Sequence, residues 1–282
     1  MWPMLRQGAV TLALAVAVVV GIVAVPEYVG SDAPVSLGWF QRAALIFSHV
    51  VRGELPEASA ITRTTQLYRD LPQLLTQSTT LVIGAMCCAL VVALPTGMAT
   101  AMAPYNARRR AAARLLIAVS SMPAIVWATV LLLTSLKLEI SLTTNARLAF
   151  LAALATLVLG DRLVGDLTAR VESATKELLD EPYLRTVRAS GFHVVRHVAQ
   201  GLVPPVADAV ASRTLFLIGG AIVVERLFDI RGLGFRVFES LEANPIEREL
   251  IVVCAIGLVV LGLVVRSVAT GAALLADGRR RG

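Results

Sequence analysis

Charged residues are scarce in this sequence: Asp, Glu, Lys and Arg make up 16% of its 282 residues, whereas 56% are hydrophobic. This balance excludes an ordinary soluble domain, and we expect the chain to reside in a lipid bilayer. The three cysteines all lie inside apolar runs and provide no disulfide or metal framework. The formal charge of +6 comes with no recognised nucleic-acid-binding motif, so we expect no nucleic-acid partner.

Motifs for chemistry are also missing. The sequence has no G-x-x-x-x-G-K-[ST] loop to cradle nucleotide phosphates. It shows no Ser-His-Asp, Cys-His or paired-carboxylate arrangement. His193 and His197 have the i, i+4 spacing that can hold a metal, but no third ligand is near. We therefore predict that the chain is not an enzyme and that it binds no metal or cofactor of its own.

Long apolar runs are what the sequence does have. A bilayer-spanning helix needs about 20 apolar residues, and six runs qualify, which predicts an all-α polytopic membrane protein. The first run also fits a signal peptide, but it exceeds a typical signal h-region and no clean A-x-A site follows it, so we expect a retained helix. The predicted spans are residues 8–25, 75–103, 111–136, 146–164, 206–228 and 250–275.

Arginine clusters between the spans indicate the orientation. Arg6 and the clusters in residues 108–110, 185–196 and 279–281 fall on one side if six helices alternate, and the positive-inside rule makes this side cytoplasmic. Both termini are then cytoplasmic, whereas about residues 27–72, 137–145 and 229–248 are extracytoplasmic. Residues 37–51 have the spacing of an amphipathic helix that lies along the outer interface or packs on the helix tops.

Two predicted spans carry charged residues. Three charges lie in residues 161–166, and Asp208 and Arg213 lie near the start of the fifth span. Either the helices continue into the cytoplasm, which we expect for residues 161–166, or the charges face a water-filled path between helices. A charge at the bilayer centre costs about 2.5 to 3.5 kcal/mol on insertion scales. Arg213 is the better candidate for the path, because an apolar stretch follows it.

The longest polar stretch between spans, about residues 168–200, is cytoplasmic in this topology. We expect it to begin as a helical continuation, to bend at Gly191, where glycine permits a tight turn, and to continue as a second short helix. Pro204 and Pro205 then end this segment or start the next helix in its first turn. A short helix held rigidly between two spans suits a lever for a cytoplasmic partner, and a basic loop that only fixes topology is the alternative.

Residues 183–205 resemble the EAA loop of bacterial ABC importer permeases, whose pattern is Glu-Ala-Ala, three residues, Gly, nine residues, Ile-x-Leu-Pro. YLRTVRASG, residues 183–191, is similar to the Tyr-Val-Arg-Thr-Ala-Arg-Ala-Lys-Gly of the dipeptide, oligopeptide and nickel permease branch, particularly its B-type subunit. GGAIVVERLFDIRGLG, residues 219–234, resembles the branch's GGavivEtvFswPGlG. The chain departs from these patterns at residues 185–187, which replace Glu-Ala-Ala, and at Ile230-Arg231, which replace Trp-Pro.

The resemblance implies a type I ABC importer permease fold with a cytoplasmic coupling helix. Residues 1–72 would form an N-terminal transmembrane helix and an extracytoplasmic amphipathic segment, and residues 73–282 a five-helix core. The implied function is that of a bacterial inner-membrane permease for peptides, or alternatively for nickel or a metal chelate, glutathione or opine-like cargo. Implied partners are a second homologous permease in a heterodimer, two ABC ATPases that bind ATP and Mg, an extracytoplasmic solute-binding protein and membrane lipid. The competing classes are an ATP-independent channel or scaffold and an intramembrane enzyme.

The resemblance also implies roles for individual residues. The arginines of the loop would pair with acids on the ATPase. Glu225 would be a gate or cargo contact at the outer mouth of the path, or else a solvated helix end, which we favour. The glycines at 219 and 220 would serve the path or tight helix packing. The implied ATPase-coupling residues are Arg185, Thr186, Arg188, Ala189, Gly191, His193, Arg196, His197, Val203 and Pro204, and the implied path or gate residues are Arg213, Gly219, Gly220, Glu225, Phe228, Gly232 and Gly234.

Overall fold

The structure is a computed structural model that describes residues 58–103, 105–139, 142, 145–190, 194–243 and 248–276. Every regular element in these ranges is an α-helix. The predicted first span and the amphipathic segment at 37–51 lie outside the described residues. The helices are α1 (Ala58–Met102), α2 (Ala107–Ser120), α3 (Ala124–Lys137), α4 (Ala146–Leu159), α5 (Leu163–Asp180), α6 (Pro182–Ala189), α7 (Val194–Gly201), α8 (Val203–Leu227), α9 (Leu233–Glu242) and α10 (Arg248–Ala276).

Three helical stretches are long and apolar enough to cross a membrane: Asp70–Met102 in α1, Val203–Leu227, and Leu250–Ala273 in α10. They confirm the long apolar helices predicted for the second, fifth and sixth spans. The pairs α2–α3 and α4–α5 meet the same criterion only as broken spans, bent by 89° and 47°. The described residues therefore contain three candidate spans, or up to five if each bent pair is one span.

The predicted third and fourth spans are not continuous helices. Pro123 precedes α3, and proline disfavours the α conformation in the residue before it, so the helix cannot run through this position. After α4, Gly160 is extended, and Asp161 and Arg162 have positive φ angles of 52° and 62°. The expectation that the fourth span continues as one helix past Gly160 is wrong, because these residues leave the right-handed helical conformation.

The polar stretch after α5 contains two short helices. α5 ends at Asp180, Glu181 is extended with ψ of 137°, and Pro182 starts α6. The predicted unbroken helix up to residue 190 is therefore wrong, because Pro182 excludes Glu181 from the helix. Pro204 lies in the first turn of α8, which confirms that the double proline starts the next helix. The predicted bend at Gly191 lies outside the described residues.

The described residues within 80–230 and 264–276 form one compact unit, in which α5 and α8 are central. α5 packs against α2, and α8 packs against α3, α4 and α5. Glycines permit the close approaches: a Cβ at Gly97 of α1 would lie 2.8 Å from the carbonyl oxygen of Thr168 in α5. At Gly165 of α5, a Cβ would overlap the Oγ of Ser120 in α2. The residues of the candidate site around α5 and α8 are therefore placed by tightly packed backbones.

The other compact unit comprises residues 1–79 and 231–263, of which 58–79, 231–243 and 248–263 are described. The amide of Leu233, the first residue of α9, donates a buried hydrogen bond of 2.8 Å to Ser78 Oγ in α1. A Cβ at Gly257 in α10 would lie 3.2 Å from Leu233 Cδ1. Leu233 therefore holds α9 against the first part of α1 and against α10, within a segment that the sequence analysis assigns to an extracytoplasmic loop.

Candidate functional site

The predicted coupling segment is seated on α5 by one apolar cluster. Leu184 of α6, Val198 of α7 and Leu202 are at most 2% exposed and meet Val171 and Ala174 of α5. Burying one Val or Leu side chain stabilises a fold by about 1.5 to 3 kcal/mol, so these contacts attach both short helices firmly to the unit. Partly buried side chains surround the cluster: Leu94, Met98, Met102, Leu178, Leu179, Val187, Val194 and Val206.

The residues that seat α7 were missed by the sequence analysis. Val194, Val198 and Leu202 follow one another at intervals of four, a helical apolar stripe that could have identified them. Gly201, the last residue of α7, replaces the isoleucine of the family pattern. A Cβ at this position would lie 2.9 Å from Leu178 Cδ2, so the small residue lets the end of α7 rest on α5.

The outer side of the two short helices is exposed. We call the exposed side chains Tyr183, Thr186, Val195 and Arg196 the coupling face. The face combines an aromatic ring, an aliphatic side chain and a positive charge. Both the amide and the hydroxyl of Ser190 donate to the carbonyl oxygen of Thr186 at 2.9 Å, which closes the end of α6.

The remaining predicted coupling residues are placed unevenly. Val203 is exposed, whereas His197 and Pro204 are half-buried. Gly191 and His193 lie outside the described residues, as do the side chains of Arg185, Arg188 and Ala189. Within the described ranges, no group of three or more His, Cys, Asp or Glu side chains is placed to hold a metal ion.

Two helix breaks are joined to each other by hydrogen bonds. The double break consists of residues 121–123, between α2 and α3, and residues 160–162, between α4 and α5. The Asp161 amide donates to the Met122 carbonyl oxygen at 3.1 Å, and the Arg162 amide donates to the Ser120 carbonyl oxygen at 2.7 Å. Backbone groups freed by one interruption are therefore satisfied by the other, as buried backbone groups require.

The side chain of Asp161 adds a further hydrogen bond to the double break. Pro123 offers no side-chain cap to the start of α3, and Asp161 Oδ1 accepts a hydrogen bond of 3.1 Å from the Ala124 amide instead. A carboxylate is favourable at this position because a helix N-terminus carries partial positive charge. Gly160 permits the approach, since a Cβ there would lie 2.6 Å from Ala124 Cα.

An ion pair joins the two central helices. Arg213 Nη2 of α8 donates to Asp166 Oδ2 in the first turn of α5, and the two side chains are 30% and 20% exposed. Arg162 Nε lies 3.5 Å from Asp166 Oδ1, so two arginines share one carboxylate. The Arg213 guanidinium also lies 5.6 Å from the centroid of the Phe216 ring, within the range of a cation–π interaction. Both residues were noted as charges in predicted spans, Asp166 within residues 161–166 and Arg213 in the fifth span, but their pairing was not predicted.

Glu225 and Phe228, predicted at a gate, are both fully buried. The favoured interpretation of Glu225 as a solvated helix end is therefore wrong. α8 ends in a tight turn, in which Asp229 has a positive φ of 55° and the Ile230 amide donates to the Glu225 carbonyl oxygen at 2.9 Å.

The glycines of the predicted path differ in their surroundings. A Cβ at Gly220 would lie 3.0 Å from Asp161 Oδ2, whereas a Cβ at Gly219 would meet no atom within 4 Å. Tight packing within the chain thus accounts for Gly220 but not for Gly219. Gly232 and Gly234, which belong to the other unit, are buried at the start of α9.

Known proteins are similar to this chain over part of its length. A family described as "Binding-protein-dependent transport system inner membrane component" matches residues 93–273. The chain is similar to the glutathione transport system permease protein GsiC of Shigella boydii serotype 4 (strain Sb227), with 30% identity over 118 residues. The protein of that name from Escherichia coli (strain K12) also shows 30% identity over 118 residues. Each alignment covers 40% of this chain and 39% of the relative, so the match extends over about two fifths of the relatives' length. Because the family match includes every helix from α2 to α9 and more than half of the chain, the chain belongs to the inner-membrane components of binding-protein-dependent transport systems.

Proposed function

We propose that this chain is the permease subunit of an ATP-driven importer and forms one half of a translocation path. The proposed arrangement is the type I ABC importer permease fold with six spans, which include residues 8–25, and with both termini in the cytoplasm. Family membership and the three to five candidate spans of the described residues support this arrangement. The arginine clusters support the orientation through the positive-inside rule.

The seating of α6 and α7 is the observation that carries the coupling role. A close-packed interior transmits displacement, so a force on the coupling face reaches α5 through Leu184 and Val198. The face presents Val195 and Arg196 outward. An exposed ion pair contributes only about 0 to 1 kcal/mol, so the shape of the face dominates its docking to a partner.

The energy for transport is assigned to partner subunits. Two ATPases that bind ATP and Mg receive the coupling helices of two permeases, and their closure moves both helices together and switches the access of the path. This chain pairs with a second, homologous permease, and a solute-binding protein delivers cargo to the extracytoplasmic side. The description of the family as a component of binding-protein-dependent transport supports the solute-binding protein and the ATPases as partners.

For the cargo we propose a small peptide. The similarity of residues 183–191 to the dipeptide and oligopeptide branch supports this class. The similarity to glutathione permeases over 118 residues makes glutathione, itself a tripeptide, the specific candidate within it. Uptake of labelled glutathione and of a labelled dipeptide by membranes with the complete transporter separates the two, and uptake of neither would contradict the peptide assignment.

Co-purification from gentle detergent tests the importer role. We expect the tagged chain, expressed with its neighbouring genes, to recover ATPases and a second permease. The double variant Val195→Asp, Arg196→Glu alters the coupling face, and we expect it to lose the ATPases while retaining the second permease. Arg147→Glu, at an exposed arginine in the first turn of α4 outside the clusters that set the orientation, is the control charge reversal and is expected to retain both. A chain that stays folded and purifies alone would overturn the proposal.

A further inference from the structure

Positive charge exceeds negative charge beside the central ion pair. A cavity of about 60 Å³ opens between α5 and α8. Arg162, Arg170 and Arg213 lie in or next to it, with Asp166 between two of them. Asp161 lines a neighbouring cavity with Arg213, and even with this carboxylate the group has a net charge of +1. The cavity is lined by Asp166, Leu167, Arg170, Ala209, Ser212 and Arg213.

The net positive charge of this group matters because Arg213 lies on a candidate membrane span. Arg213 follows Val203, the first residue of α8, by ten positions, which corresponds to about 15 Å along the helix axis. Arg213 therefore lies inside a helix long enough to span a membrane, and Arg170 of α5 lies in the stretch predicted to be cytoplasmic, so the cavity lies toward the cytoplasmic side of the proposed path. Charges on such helices require counter-charges or water-filled surroundings, and they mark binding sites and pathways in membrane proteins. One aspartate shared by two arginines leaves room for a second anion.

The donor geometry is suited to a carboxylate. A guanidinium has five N–H donors in a planar fork that matches a carboxylate, and Nη2 of Arg213 directs a hydrogen bond to Asp166. The hydroxyl of Ser212 already donates to the Ala209 carbonyl oxygen at 2.9 Å, so the arginines are the donors available to a ligand. A volume of about 60 Å³ exceeds the roughly 10 to 15 Å³ that one water molecule needs on the same measure, so the cavity has room for a group of the size of a carboxylate.

We propose that this cavity is a carboxylate-binding site in which Arg213 and Arg170 bind one carboxylate of the cargo during its passage. The identification of the ligand as cargo rests on the proposed importer function. Asp166 is the resident counter-ion of Arg213, and its competition with the ligand keeps the site weak enough for release. The same carboxylate chemistry is offered by a peptide C-terminus and by a small carboxylic acid.

Thiol labelling in membranes that contain the complete transporter tests the charge of the cavity. Ser212→Cys places a thiol on its wall, in a chain where Cys87 and Cys88, both exposed, are replaced by alanine. The rates of reaction with anionic sulfonatoethyl and cationic trimethylammonioethyl methanethiosulfonate are compared, each divided by its rate with free 2-mercaptoethanol. The ratio of the two rates cancels the thiolate fraction, which differs between environments.

We expect the ratio to favour the anionic reagent and to fall about tenfold in Arg213→Gln, since one close positive charge is removed. Arg266→Gln, an exposed arginine of α10 outside the cavity, is the control and is expected to keep the ratio. A preference for the cationic reagent, an unchanged ratio in Arg213→Gln, or no reaction with either reagent would overturn the proposal.

Protection from labelling distinguishes the two sources of the carboxylate. We expect glycylglycine to slow the reaction and glycylglycine amide, which lacks the carboxylate, to leave it unchanged. Slowing by acetate to the same degree would assign the site to small carboxylates in general, and slowing by glycylglycine alone would assign it to peptides. Slowing by neither would overturn the site. Labelling and protection are measured without ATP hydrolysis and without recovery of partner subunits, so this result stands apart from the co-purification that tests the importer role.

Discussion

Replacing Val198 by alanine tests whether the apolar cluster holds the coupling segment in place. Val198 is 0% exposed in α7, and Val195, one turn earlier in the same helix, is 56% exposed. Truncation of Val198 removes two buried methyl groups at about 0.8 kcal/mol each and adds a cavity cost, which together give about 2 to 3 kcal/mol. The same truncation at Val195 is expected to change stability by less than about 0.5 kcal/mol.

Hydrogen exchange followed by mass spectrometry measures the difference in local stability between the two variants. A loss of about 2 to 3 kcal/mol corresponds to a factor of about 30 to 150 in an opening equilibrium, so peptides from residues 182–203 should exchange faster by about that factor in Val198→Ala. Exchange in α3 and α4 is expected to stay unchanged, because local openings involve separate cooperative segments. Equal exchange in Val195→Ala and Val198→Ala would refute the argument that the burial of Val198 holds α6 and α7 on α5.

Three further predictions concern the double break and the ion pair. Gly160→Ala is expected to lower the free energy of unfolding by about 1 to 3 kcal/mol through overpacking. Gly219→Ala adds a methyl group in open space and is expected to be neutral or to stabilise by up to about 1 kcal/mol. Melting temperatures in detergent compare the two variants, and equal losses would contradict the packing argument. Asp161→Ala removes the cap of α3 and is expected to cost about 0.5 to 2 kcal/mol, while Asp161→Asn keeps an acceptor oxygen and should retain much of the stability in the same assay. Asp166→Ala leaves the partly exposed Arg213 without its counter-ion and is expected to cost about 1 to 3 kcal/mol. The double variant Asp166→Ala, Arg213→Met should recover part of this loss, and a double variant no better than the single one would show that the pair is not energetically coupled.

Continuous apolar runs were sufficient to predict the long helices α1, α8 and α10, because hydrophobic length alone decides whether a helix can span a bilayer. The two broken spans show the limit of this criterion. Pro123 stands in the middle of an apolar run, and its effect on the preceding residue provided a local signal for the break. The break after Gly160 depends on Asp161 and Arg162 in left-handed conformations, which their partners on the other interruption stabilise and which sequence periodicity does not reveal.

The candidate site was predictable only where its signal is local. Residues 183–205 were predicted through their resemblance to the EAA loop, and their coupling role stays a prediction. The interval of four between Val194, Val198 and Leu202 was a local signal for the residues that pack α7 on α5. The pair of Arg213 and Asp166 joins residues that are 47 positions apart, so it arises from the packing of α5 on α8. The burial of Glu225 is likewise a result of packing that the local sequence does not reveal. The role of Gly191 in coupling stays a prediction.

The reciprocal hydrogen bonds of the double break constrain how this chain can vary in length. A residue inserted into 121–123 would shift Met122 relative to Asp161 and leave several backbone groups unpaired at once, unless 160–162 changed to match. We therefore expect insertions and deletions to be excluded from either interruption alone and to occur, in related chains, only as compensated pairs. Grafting one interruption from a relative of different loop length would fail for the same reason, whereas transfer of both together would preserve folding.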